Sequence, residues 1–320
     1  MRCRTLSRIS LATAVVFAKE NGDQTHHMKS HLRSVPQPRI IGGEETQPTR
    51  YPFTVSLQNV QHFCGGTLIA SDVVLTAAHC TIIDFSEVTV VIGSHTVDGK
   101  TSMGNEVEKL GVTRVYTHPE YNALTNNYDF ALIFLDTPTT SNVKYARLND
   151  DAQVPSTADT LTAIGWGDTS AGEGYDYSNI LMEVDVDYME NEDCDASSDS
   201  QDSYKGMIFD AMLCASRPGK DGCQGDSGGP IIIKGSDASQ DVQVGIASWG
   251  YGCASPDFPG VYSRVSVGYK WIRNRVCRRS LDPPEWFDCW EKKTMSYRFA
   301  YNKNGKRIKG EIVRNNVFKK

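Results

Sequence analysis

The chain has 320 residues, enough for one large or two small domains and for a core that needs no metal or disulfide staple. With 39% hydrophobic and 22% charged residues it is globular in composition, and no apolar run reaches the 18 residues of a membrane-spanning helix. The net charge of −6 hides a partition: residues 40–277 carry 32 acidic against 14 basic side chains, while both ends are basic, so the body repels nucleic acid and attracts cationic partners.

In chain order, Arg2, Arg4 and Arg8 precede the apolar stretch Ile9 to Ala18, and Val16-Phe17-Ala18 offers small residues for cleavage. Residues 1–18 therefore read as a secretory signal. Nine cysteines are present; loss of Cys3 with the signal leaves eight, an even set suited to an oxidising compartment. The expected location is outside the cell. Residues 19–39 are polar and aperiodic and end in Val35-Pro36-Gln37-Pro38-Arg39, an exposed, cleavable propeptide. From Tyr51 onward, runs of four to seven β-branched or aromatic residues alternate with turn signals. They include Phe53–Leu57, Val88–Gly93, Phe130–Leu135, Thr160–Ile164, Ile231–Ile233 and Val242–Ile246. The stretch Ala146–Thr160 reads as a linker, so the strands fall into two groups of barrels or sandwiches. One amphipathic helix is expected over 267–276, with Val267, Trp271 and Ile272 facing inward. The fold class is all-β with a C-terminal helix.

The sharpest chemical signal is Gly225-Asp226-Ser227-Gly228-Gly229-Pro230. A serine flanked by glycines on a turn can reach a substrate carbonyl, and the surrounding N–H groups can face an oxyanion. An α/β-hydrolase needs its acid and histidine after the serine, but all seven histidines precede Ser227, which excludes that class of lipase or esterase. His79, in Thr76-Ala77-Ala78-His79-Cys80, has small neighbours that leave room for a serine and a substrate. His26, His27 and His31 fall in the propeptide; His62, His95 and His118 sit in polar, turn-like contexts and read as surface residues. Asp129 opens the apolar run Phe130–Leu135, where desolvation demands a strong hydrogen-bond partner such as an imidazole N–H.

With these segments the chain resembles the trypsin-like branch of the chymotrypsin-family serine endopeptidases. Arg39-Ile40-Ile41-Gly42-Gly43, Gly165-Trp166-Gly167, Asp221-Gly222-Cys223 and Ser248-Trp249-Gly250 extend the match over about 40–277. The resemblance implies two packed six-stranded Greek-key β-barrels with the active site between them. It implies a catalytic triad of His79, Asp129 and Ser227, and an oxyanion hole from the N–H groups of Gly225 and Ser227. Asp221 would floor a pocket for Lys or Arg, with Gly250 and Gly260 keeping it open. Cleavage at Arg39-Ile40 would free an amine that pairs with Asp226, so the full chain is expected to be a zymogen. Implied bridges are Cys64–Cys80, Cys194–Cys214 and Cys223–Cys253; Leu161 and Ile233 stand where another bridge is common, and Cys277 and Cys289 are left to pair with each other. Ser94 stands where many relatives hold the first carboxylate of a calcium site, so Asp98, Glu106 and Glu108 are expected to be solvated acids and no metal or cofactor is expected. Residues 278–320, with Trp286, Phe287 and Trp290 exposed, form a dispensable basic tail. Expected partners are protein or peptide substrates with Lys or Arg before the cleaved bond and protein protease inhibitors, with no nucleic acid and no transmembrane segment; the chain is expected to be a monomer. The alternative is a secreted, non-catalytic binding protein or inhibitor that keeps the fold without turnover.

Overall fold

The computed structural model describes residues 42–101, 107–168, 178–223 and 225–289, and the backbone of 295–301 and 307–314. The signal and propeptide segments, with Arg39 and Ile40, lie outside the described residues, as do Glu106 and Trp290. No helix among the described residues is long and apolar enough to cross a membrane.

The β-rich runs form strands. After a short β1 (Glu44–Glu45) come β2 (Thr54–Gln58), β3 (His62–Ala70), β4 (Val73–Thr76), β5 (Thr89–Ile92), β6 (Glu108–Leu110), β7 (Val112–Thr117) and β8 (Ala131–Leu135). Strands β2 to β8 make one antiparallel sheet in the order β6-β5-β2-β3-β4-β8-β7. Its two edge strands are neighbours in sequence, joined only through Gly111. The sheet therefore curls until its edges meet by a covalent link and not by a hydrogen-bonded ladder. At this seam a Cβ on Gly111 would lie 2.7 Å from the carboxylate of exposed Asp136, which would have to swing aside.

The second group comprises β9 (Arg147–Leu148), β10 (Thr160–Gly165), β11 (Met182–Met189), β12 (Met212–Ser216), β13 (Pro230–Ile233), β14 (Val242–Trp249) and β15 (Gly260–Arg264). The order β11-β10-β13-β14-β15-β12 closes on itself because β12 also pairs with β11, giving a six-stranded barrel. Neighbours that are distant in sequence, such as β10 beside β13, give it crossed connections. The expected linker is part of this packing: Ala146 is buried and β9 pairs in parallel with β14.

Each barrel has its own core. Val55, Leu57, Leu68, Leu75 and Leu132 fill the first, and Leu161, Val184, Leu213, Ile231 and Val244 the second. Leu161 and Ile233 pack into the same cluster, so apolar contact occupies the place of the missing crosslink. All four remaining cysteine pairs are bridged: Cys64–Cys80, Cys194–Cys214, Cys223–Cys253 and Cys277–Cys289.

Two short-range expectations are corrected. The helix after β15, α2 (Val265–Arg279; α1 is the five-residue turn Asn191–Asp195), buries Val265, Gly268, Ile272 and Val276. Val267 is exposed and Trp271 only half-buried. The cause is Gly268, whose missing side chain lets the helix axis rest against the Phe130 ring; a Cβ there would meet the ring at 2.9 Å. That contact rotates the inward stripe by one residue. The boundary drawn at Cys277 also falls inside packed structure. Phe287 is fully buried in the first core, Arg273 donates to the Phe287 and Asp288 carbonyls, and Ser280 Oγ and the Leu281 N–H both donate to buried Asp72. Polar and proline-rich neighbours disguised an anchor that finds its pocket only in the folded chain. Phe287→Ala is expected to cost about 3–5 kcal/mol of stability, measured by urea unfolding. Further on, β16 (Met295–Tyr301) and β17 (Arg307–Arg314) pair as an antiparallel hairpin.

Candidate active site

The site lies where the two barrels face each other. After β4 the chain passes through buried Ala77 and Ala78 into a 3₁₀ turn that begins at His79. The His79 N–H donates to Asp129 Oδ1 at 2.8 Å, and the ring Nδ1 meets Asp129 Oδ2 at 2.7 Å. Ser248 Oγ donates to the same Oδ2 at 2.6 Å. Asp129 has no exposed surface, and a buried carboxylate of this kind is tolerable only when several donors satisfy it. Because its Nδ1 faces a carboxylate, the imidazole carries its proton there and leaves Nε2 free to accept one.

Ser227 sits on a turn that only glycine permits. Gly225 and Gly228 both have positive φ, at 95° and 80°. Gly228 packs so tightly on β3 that a Cβ would reach the Gly65 carbonyl at 2.6 Å. The turn is tied to both barrels: the Gly65 N–H donates to the Ser227 carbonyl, and the Gly228 N–H to that of Ala247, each at 2.8 Å. His79 and Ser227 line one cavity of 350 Å³.

The cavity's floor is Asp221, which is 5% exposed. Its Oδ2 accepts the Ala254 N–H at 3.0 Å, while Oδ1 is buried without any hydrogen-bond partner. Burial raises its pKa from 3.8 to about 7. Gly260 is needed beside it, since a Cβ would lie 2.8 Å from Oδ1; Gly250 lines the wall with no such crowding. Asp226 is also buried, and its carboxylate accepts the N–H groups of Gly167 at 2.8 Å and Cys223 at 2.9 Å. Burial lifts its pKa to about 6. Glycine at 165 and 167 makes room for this carboxylate, because a Cβ at either position would overlap it.

The expectation that His62, His95 and His118 lie on the surface is corrected: they are 4%, 6% and 7% exposed. Each is surrounded by polar sequence yet has its partners across the fold. His62 Nε2 bonds the Gly225 carbonyl at 2.9 Å and Nδ1 accepts from Ser56 Oγ at 2.8 Å, so it fixes the peptide that bears Gly225. Its place at the first, inward-facing position of β3 was the signal available in the sequence. His95 pairs with Glu45, and His118 stacks on Tyr128 against Trp271. Of the two described acids of the 93–108 segment, Asp98 is exposed, as expected, and pairs with Lys100, while Glu108 accepts from Thr139, Thr140 and Ser141.

The family model described as Trypsin matches residues 40–272. The chain is 34% identical to serine protease 1 of Homo sapiens over 244 residues, covering 76% of this chain and 91% of that protein. It is 35% identical to a trypsin of Sus scrofa over 240 residues, 74% of this chain and 96% of the other. It is also 35% identical to a trypsin of the bacterium Saccharopolyspora erythraea over 248 residues, 74% and 98% of the two chains.

Proposed function

Since the chain belongs to the trypsin family of serine endopeptidases, we propose that it is made as a secreted zymogen which, once cut between Arg39 and Ile40, hydrolyses peptide bonds after Lys or Arg. Residues 1–18 act as the signal and 19–39 as the propeptide. The catalytic domain starts at Ile40 and includes α2 and the segment closed by Cys277–Cys289.

Ser227 Oγ attacks the peptide carbonyl as His79 Nε2 takes its proton. The N–H groups of Gly225 and Ser227 hold the oxyanion, and His79 passes the proton to the leaving amine. Water then repeats the sequence on the acyl-enzyme. Asp129 keeps the imidazole in the productive tautomer and stabilises its cation, while His62 steadies the Gly225 peptide.

One observation carries the specificity: Asp221 Oδ1 is buried and unpartnered at the floor of the cavity that His79 and Ser227 line. A buried carboxylate without a cation is costly, and a lysyl or arginyl side chain supplies one. The same reasoning applies to Asp226, whose missing cation would be the Ile40 amine released by cleavage. Pairing of eight cysteines supports maturation in an oxidising compartment. The test is nitroanilide release by a form that begins at Ile40 and by one with a single extra residue before it. Strong release from an arginyl substrate by the first form alone is expected. Preference for a phenylalanyl substrate, or equal activity of the two forms, overturns the reading.

A further inference from the structure

The body is acidic, with 32 acidic against 14 basic side chains over residues 40–277, yet the stretch that holds its last helix is not. Residues 264–281 contain six basic side chains and no acid. On α2, Arg275 and Arg279 are four positions apart and so are neighbours on the helix surface, where like charges destabilise. The macrodipole favours cations at a helix C-terminus, which accounts for Arg279 taken alone. It does not account for what meets the two arginines. The edge strand β7 supplies Tyr116, and the Arg275 guanidinium lies over its ring, 4.3 Å from the centroid. Arg114, two residues earlier on β7 and exposed, donates to Tyr116 Oη at 3.1 Å. That hydrogen bond, with the positive charges of Arg114, Arg279 and Arg275, holds the Tyr116 phenol below its usual range.

Three guanidiniums thus converge on one phenol, and no carboxylate neutralises them. The Lys and Arg ion pairs among the described residues involve Arg50, Lys100, Arg217 and Lys234, none of which belongs to this cluster. Asp72, which ties down the end of α2, is buried and already accepts from Ser280 and Leu281. The cluster offers donors only: guanidinium N–H groups, and the Tyr116 O–H, whose oxygen already accepts from Arg114. Its complement is an acceptor-only oxyanion. None of these residues lines the cavity shared by His79 and Ser227.

We infer that Arg114, Tyr116, Arg275 and Arg279 form a surface that binds the sulfate groups of a linear polysaccharide, outside the catalytic cavity. The acidic body selects this form of polyanion. A stiff duplex or a flat anionic bilayer would bring its phosphates against the surrounding carboxylates, whereas a thin, flexible chain can follow the narrow strip between β7 and α2. The sequence after Cys289 adds ten basic residues against two acidic, so this end of the chain stays attractive to an extended polyanion. Sulfated polysaccharides are extracellular, in keeping with the secretion proposed above.

The test measures binding of a labelled heparin oligosaccharide by the protein from Ile40 to Lys320, over a series of NaCl concentrations. The protein carries Ser227→Ala so that self-cleavage does not remove its basic end. In Arg275→Gln/Arg279→Gln, where glutamine keeps a stem beside Tyr116, Kd is expected to rise about tenfold. The slope of log Kd against log salt is expected to fall by about two, one for each counterion no longer released. The exposed single variant Arg114→Gln is expected to lower the slope by about one. Lys205→Gln/Arg217→Gln removes the same charge on either side of β12 and is expected to leave both Kd and slope unchanged. Heparin stripped of sulfate, with its carboxylates intact, is expected not to bind. Absence of heparin binding by the parent protein, unchanged binding in the arginine variants, or equal weakening in the Lys205/Arg217 control overturns the inference. Equal binding of the desulfated chain, or of a DNA duplex, overturns the assignment to sulfate.

Discussion

Ser227→Ala, made in the form that begins at Ile40, is expected to lower kcat by about 10⁶ while leaving the melting temperature nearly unchanged. The size follows from the proposed mechanism, in which Ser227 is the nucleophile of a unit whose members act together: without its Oγ, His79 has no proton to accept and no acyl-enzyme forms. What remains is the help of the oxyanion donors and substrate binding, about 10³–10⁴ over water. Stability is spared because the turn is held by its backbone, through Gly65, Ala247 and Cys223, and the side chain faces the cavity. Labelling by a fluorophosphonate reads the result directly. A variant that still reacts at a single site would remove Ser227 from the mechanism.

The second large effect is at the pocket floor. Asp221→Asn is expected to reduce kcat/KM for arginyl substrates by about 10⁴, because a cation then faces a neutral amide in a desolvated site. The same change is expected to stabilise the fold. The Asp221 carboxyl titrates near 7 in the folded chain against 3.8 when unfolded. Between these values the unfolded chain has released a proton that the folded chain keeps, so stability falls as pH rises through this window and stays reduced above it. Asparagine abolishes that loss, worth on the order of 4 kcal/mol at pH 8. Binding has the opposite sign. An arylamidine competitor needs the ionised carboxylate, so its Ki is expected to rise about tenfold per pH unit well below 7. Calorimetric melting at pH 5 and pH 8, with inhibitor titrations at both, checks the pair. A variant that melts earlier at pH 8 would show that the carboxylate is not a burden on the fold.

The residues nominated for chemistry stand out in the sequence because each is embedded in a local pattern with its own physical reason. Glycines bracket Ser227, small residues surround His79, and an apolar strand begins at Asp129. The structure brings these three elements to one cleft. The two groups of strands were also legible from β-branched runs and turn signals. What escaped was set by contacts between distant segments. His62 looked polar in its turn, yet one of its hydrogen-bond partners, the Gly225 carbonyl, is 163 positions away. Phe287 follows two prolines in a basic stretch, and only the first-barrel core and the bridge to Cys277 give it a place. The helix face was misread by one residue because a glycine, with no side chain to count as apolar, is buried against the Phe130 ring.

The ends of the catalytic body change partners. β1, which leads into the first barrel, is paired with β11 of the second, and Arg50 reaches across to buried Asp241. The helix leaving the second barrel returns to rest on Phe130 of the first, and Ser280 ties it to Asp72. Each half thus embraces the other with its own terminal arm, like clasped hands. Pulling the halves apart must strip both arms at once, so the crevice between them cannot yawn open in stages. The molecule should melt in a single transition, and either half expressed alone should fail to hold its shape.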